Sequence, residues 1–141
     1  METKDLILRN WQDSDAKALY EMCLDEAIRK SGIDFYNSIT DSQNTIQCWK
    51  NDKGFKVIAD KRNDNFIGFI SLGGMNRYDG YMEIEYAVAA RYRNNGYAMQ
   101  AVQRIIVNRI SNHVSLVMTI QILRYRSQNK TLPSFLFFTI I

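Results

Sequence analysis

Two carboxylates and one loop hold the chemistry this sequence can offer. Glu83 and Glu85 stand two positions apart in the apolar run at 82–89. Side chains alternate between faces along a strand, so this spacing puts both carboxylates on one face. A carboxylate lining a cleft can act as a general base, directly or through a water. A pair of solvated strand residues fits the same spacing. The chain continues Arg91-Tyr92-Arg93-Asn94-Asn95-Gly96-Tyr97-Ala98, a polar stretch running straight into a helical pattern. The first turn of a helix has unpartnered amides and a partial positive charge. Such an end can hold phosphate oxygens without a metal. Gly96 has no Cβ to keep a ligand off the backbone. Ala98 keeps the first turn slim, and Arg93 brings a positive charge near the anion. An ordinary strand–loop–helix connection with one turn glycine fits these residues too.

These groups need a scaffold, and the hydrophobic pattern supplies one. A short strand is expected within 4–10, around Leu6, Ile7 and Leu8. Asp13 or Ser14 can cap a helix running from about 14 to 23, whose Ala16, Leu19, Tyr20 and Cys23 form an apolar face. Residues 31–40 read as a loop with a brief structured piece. Ser42 can cap a second helix toward Lys50, with Ile46 and Trp49 on one side. The period then changes to two: strands are expected at 55–60 and 66–72, joined as a hairpin by the polar turn at 60–65. Gly73-Gly74 ends the second strand, a turn follows at 77–80, and residues 82–89 form the third strand of the meander. A helix is expected from 96 to 110 on the stripe Ala98, Ala101, Val102, Ile105 and Ile106. Residues 114–123 are expected as a strand lying parallel to 82–89. The order β-α-α-β-β-β-α-β predicts an α/β, mixed α+β domain.

Composition narrows the function classes. The chain has 141 residues, enough for one domain with a real core. A formal charge of +3 is too mild to argue for nucleic acid, yet would not repel a polyanion. The two cysteines, Cys23 and Cys48, lack metal-ligand spacing, and each is expected to fill buried or partly buried space. No apolar stretch is long enough to span a bilayer, and no apolar leader follows Met1, so a cytoplasmic location is the expectation. His113, the single histidine, has no partner cluster and reads as a cap or surface residue. Trp11 and Trp49 read as core or cleft wall.

Arg93-Asn94-Asn95-Gly96-Tyr97-Ala98 resembles the R/Q-x-x-G-x-G/A signature of the GNAT superfamily of N-acetyltransferases. The surroundings are similar too. Leu6-Ile7-Leu8-Arg9-Asn10-Trp11 followed by Asp15-Ala16, and Phe66-Ile67-Gly68-Phe69-Ile70, resemble the branch containing ribosomal-protein N-acetyltransferases. The resemblance covers residues 3–112. It implies a central, mostly antiparallel sheet flanked by helices, with acetyl-CoA as cosubstrate. Main-chain groups of Val88 and Ala90 would bond the pantetheine arm, and the amides of Arg93, Asn94, Asn95, Gly96, Tyr97 and Ala98 would hold the pyrophosphate. Acetyl would pass directly to a primary amine on a protein N-terminus or small molecule, with Glu83 as general base and Glu85 as the alternative.

The end of the chain departs from the family pattern. Residues 1–113 read as the acetyl-CoA-binding core and 114–141 as an atypical, incomplete C-terminal segment. Residues 114–141 contain no convincing N-x-x-S helix start, Tyr125 does not match the family's tyrosine acid, and Pro133 precedes the apolar tail at 135–141. A reading-frame shift after about 107 would produce such an end. A shortened variant whose tail packs as a strand or at a dimer interface would too. Two further function classes therefore stand beside the enzyme: a catalytically impaired acyl-CoA-binding remnant, and a self-associating interaction module. Neither a nucleic-acid nor a membrane partner is expected.

Overall fold

The computed structural model describes residues 1–31, 36–73, 82–112, 120–123 and 137–140. The expected turn at 77–80, His113, Tyr125 and Pro133 lie outside the described residues. Among the described residues, six strands form one sheet: β1 Leu6–Arg9, β2 Phe55–Asp60, β3 Phe66–Leu72, β4 Met82–Val88, β5 Ile120–Leu123 and β6 Phe137–Ile140. Their spatial order is β1-β2-β3-β4-β6-β5, and every pairing is antiparallel. Helices α1 Ala16–Cys23, α2 Glu26–Lys30 and α3 Ile39–Trp49 precede the hairpins, and α4 Tyr97–Asn112 follows β4.

The two faces of the sheet carry separate cores. Ala101, Val102 and Ile105 of α4 are buried against Leu6, Leu8, Ile58, Ile70, Ile84 and Val88. This is the stripe anticipated from the sequence. Burying a Val or Ile side chain stabilises by about 1.5–3 kcal/mol, so the stripe fixes α4 firmly. On the opposite face, Leu19 and Cys23 of α1, Ile28 of α2 and Ile46 of α3 pack on Val57, Ala59, Phe69 and Ala87. Coverage on both sides explains why Val57, Ile58 and Ala59 are all buried although consecutive. Trp11 is a core residue, with its ring centroid 5.1 Å from Trp49 and 5.4 Å from Phe55.

Several expectations are corrected by tertiary contacts. Ser38 caps α3, accepting from the Asp41 amide at 3.1 Å. Ser42 is instead buried inside α3, and its hydroxyl reaches the Ala16 carbonyl at 2.8 Å. Neither Asp13 nor Ser14 caps α1 through its side chain; they lie in a 3-10 turn at Asp13–Asp15. Arg9 grips the Asp15 carboxylate there with two bonds of 2.8 Å. Helix α2 was not anticipated: Asp25 caps it, accepting from the amides of Ala27 and Ile28. Cys23 is buried as expected, but Cys48 is exposed. Finally, β5 does not lie beside β4. The apolar tail supplies β6, which inserts between them and pairs with both.

Gly68 sets the seam between β3 and β4. The β2–β3 register shifts between Ile58 and Ala59, so Gly68 pairs with Ile58 and with Val88. A Cβ at Gly68 would stand 2.0 Å from the Ala87 carbonyl oxygen. Only glycine lets the two strands approach this closely.

Candidate functional site

The site is built where β4 ends. The Ala89 amide donates to the Ile67 carbonyl at 2.9 Å, toward β3. Strand alternation therefore turns the main-chain groups of Val88 to the opposite edge. On that edge β6 pairs only with Met82, Glu83 and Ile84. Among the described residues, no strand covers it from Glu85 onward. A 3-10 turn at Ala90–Tyr92 follows, closed by Tyr92 donating to Ala89 at 2.9 Å and Arg93 to Ala90 at 3.3 Å.

The loop then adopts an unusual backbone. Asn94 and Gly96 both have positive φ, 63° and 74°. Asparagine tolerates this region better than most residues, and glycine enters it without penalty. The side-chain amide of Asn95 donates to the carbonyls of Tyr92 and Arg93 at 3.1 and 3.0 Å. Those carbonyls are thereby engaged on the inside of the turn. The first intrahelical bond of α4 runs from the Gln100 amide to the Gly96 carbonyl at 3.1 Å. The amides of residues 94–99 donate to no group among the described residues. Consecutive unpartnered N–H groups at a helix N-terminus make an anion-binding concavity. A Cβ placed on Gly96 would meet nothing within 4 Å. The space over the turn is open, as a bound diphosphate requires.

Charge around the loop is arranged differently from the expectation. Arg93 turns back rather than outward. Its Nε donates to the Val88 carbonyl at 3.1 Å, and its Nη2 to Asp25 Oδ1 at 3.1 Å. The guanidinium is thus committed to protein groups, while the amides of residues 94–99 are left without partners among the described residues. Burial pushes the Asp25 carboxyl up, but the Arg93 guanidinium and the Ile28 and Ala27 amides outweigh it and hold the carboxyl below its ordinary range. Arg91 is exposed and stacks over the Tyr92 ring at 4.8 Å.

The expected acids lie on the same strand as this edge. Glu85 is opposite Ser71 of β3 and exposed. It alternates with buried Tyr86, which packs toward α4, so Glu85 belongs to the face carrying α1, α2 and α3. Glu83 is opposite Thr139 of β6. Val88, Ala90 and the loop from Arg93 to Ala98 are brought together by the fold. Nothing in the sequence points to Asp25, because its contact with Arg93 spans 68 positions. The bracing role of Asn95 is equally silent, since it depends on the turn already being formed.

The architecture is similar to that of several solved acetyltransferases. A GNAT-family acetyltransferase from Bacillus anthracis superposes with a TM-score of 0.72 at 15% identity, over 100% of this chain and 96% of that one. The microcin C7 self-immunity acetyltransferase MccE, solved with acetyl-CoA and AMP, gives 0.67 at 15% identity, over 99% and 94%. RimL, the ribosomal L7/L12 alpha-N-protein acetyltransferase solved with coenzyme A, gives 0.65 at 13% identity, over 99% and 96%. No curated protein matches this sequence. The sequence model of the acetyltransferase (GNAT) domain matches residues 5–126. The chain therefore belongs to the GNAT acetyltransferase family, and its fold implies acetyl transfer from acetyl-CoA to an amine. Among the described residues, no helix is long and apolar enough to cross a membrane.

Proposed function

We propose that this chain is an N-acetyltransferase that grips acetyl-CoA with the end of β4 and the loop at 93–98. The acceptor is a primary amine, on a protein N-terminus or a small molecule. The run of amides at 94–99 with no partner among the described residues, under open space at Gly96, carries this reading. Those amides hold the diphosphate, and the Val88 amide on the uncovered edge of β4 bonds the pantetheine arm together with Ala90. When bound, the cosubstrate supplies an acetyl group activated as a thioester. Glu83, or Glu85 in its place, takes the proton from the attacking amine, which must be neutral to react. The likeness to RimL supports a protein N-terminus as one acceptor. A cytoplasmic location, where acetyl-CoA is available, accompanies the reading.

Titration calorimetry with coenzyme A tests the grip. The wild-type chain binds, and Gly96→Val binds at least tenfold more weakly, because a branched side chain fills the open space and disfavours the φ of 74°. Equal affinity in the two proteins would remove the loop from the site. Thiol release with a panel of amines then tests the transfer step.

A further inference from the structure

The Asp25 carboxylate does two jobs through one oxygen. Its Oδ1 accepts from the Ala27 and Ile28 amides at 2.9 and 3.2 Å, capping α2. The same atom accepts from Arg93 Nη2 at 3.1 Å. Arg93 in turn holds the Val88 carbonyl through Nε at 3.1 Å. Both partners are about three-quarters buried, with side-chain exposures of 26% and 25%. One guanidinium thus fastens three pieces of chain: the end of β4, the start of the loop, and the first turn of α2. Helix α2 is itself anchored by Ile28, which is fully buried among α1 and α3. The loop is held from below by Tyr92, Tyr97 and Ala98, which pack partly buried against the α4-side core. Its amides from 94 to 99 have no partners among the described residues, and Asn94, Asn95 and Gly96 are exposed.

We propose that Asp25 is a positioning residue for the coenzyme A loop: by clamping Arg93 to the end of β4 it holds the unpartnered amides in their binding geometry. This rests on the cosubstrate reading above. It runs against the simpler role for Arg93, a cation aimed at the phosphates. If Arg93 acted that way, releasing it from Asp25 would leave binding unchanged or strengthen it. Under the clamp, release weakens binding, because the backbone donors lose their common arrangement before the ligand arrives.

Asp25→Ser separates the two roles of this residue. Serine caps helices about as well as aspartate, but its hydroxyl is one atom shorter and uncharged, so it loses Arg93. Arg93→Met keeps the apolar stem and removes both of its bonds. Each variant should raise the Kd for coenzyme A about threefold to thirtyfold, the range for mutations in a coupling network. The KM for acetyl-CoA should rise in step, and by a larger factor than kcat falls. In the double variant the loss should be no greater than in Arg93→Met alone. A ligand-free readout accompanies these. Trypsin needs an extended arginine, so cleavage after Arg93 should accelerate in Asp25→Ser while cleavage after Arg91 does not. Unchanged or tighter binding in both single variants, or no change in cleavage after Arg93, would overturn the clamp. Wild-type protein that binds no coenzyme A would overturn both the clamp and the functional reading. Wild-type binding with unaffected variants would overturn the clamp alone.

Discussion

Gly68→Ala should be among the most damaging single-atom changes in this protein. The added Cβ would stand 2.0 Å from the Ala87 oxygen and 3.0 Å from the Ala87 carbonyl carbon and the Val88 Cα. Real Cβ contacts do not fall below 3.0 Å, so the oxygen contact must open by at least about half its present length. The obstructing atoms are all backbone, so no side-chain rotation relieves the clash. Strand β4 must move off β3, straining the Gly68–Val88 pairing and the 2.9 Å bond from Ala89 to Ile67. Overpacking of this kind costs about 1–3 kcal/mol. Each ladder bond lost adds about 1 kcal/mol. A total loss of about 2–5 kcal/mol follows. For a chain of this length that lowers Tm by about 6–15 °C. Urea denaturation and scanning calorimetry give the two numbers. Because the displaced segment leads into the loop, coenzyme A calorimetry on protein that remains folded should also show weaker binding. A variant within about 0.5 kcal/mol of wild type, the usual range for an inconsequential surface change, would refute the close approach of the strands.

Three other outcomes are expected. Arg9→Ala leaves the Asp15 carboxylate, 4% exposed, with the Gln12 amide as its one remaining partner among the described residues; unfolding stability should fall by about 3–5 kcal/mol, and Arg9→Met with Asp15→Leu should recover most of it in the same urea titration. Glu83→Gln or Glu85→Gln should lower kcat by about 10²–10⁴-fold at neutral pH with coenzyme A affinity unchanged, and full turnover in both variants at every pH would remove the two carboxylates from the reaction. Acid should destabilise the fold through Asp25 and Asp60, since the Arg62 pairing lowers the second as Arg93 lowers the first. A carboxyl held below its unfolded value of 3.8 contributes all its stability above that pH and loses it as pH falls through the folded value. Tm measured downward from pH 4 should therefore decline, and less steeply in Arg93→Met.

What the sequence determines alone is whatever depends on near neighbours. The stripe from Ala98 to Ile106 marks α4 because residues three and four apart share a helix face. The alternation and polar turn mark the β2–β3 hairpin because its partners are adjacent in the chain. The loop at 93–98 is legible for the same reason: glycine placement and a following helix start are local, and unpartnered amides are a property of any helix end. Tertiary structure decides whatever joins distant segments. The cap of α3 falls to Ser38 because packing draws Ser42 into the α1 contact, which no local pattern announces. The order of the last strands depends on β6 rather than β5 pairing with β4, a choice between two apolar segments that look alike in sequence. The charge at Arg93 follows the same rule. Locally it faces an anion site, but a carboxylate 68 residues away, delivered by the folding of α2, turns it back onto the protein.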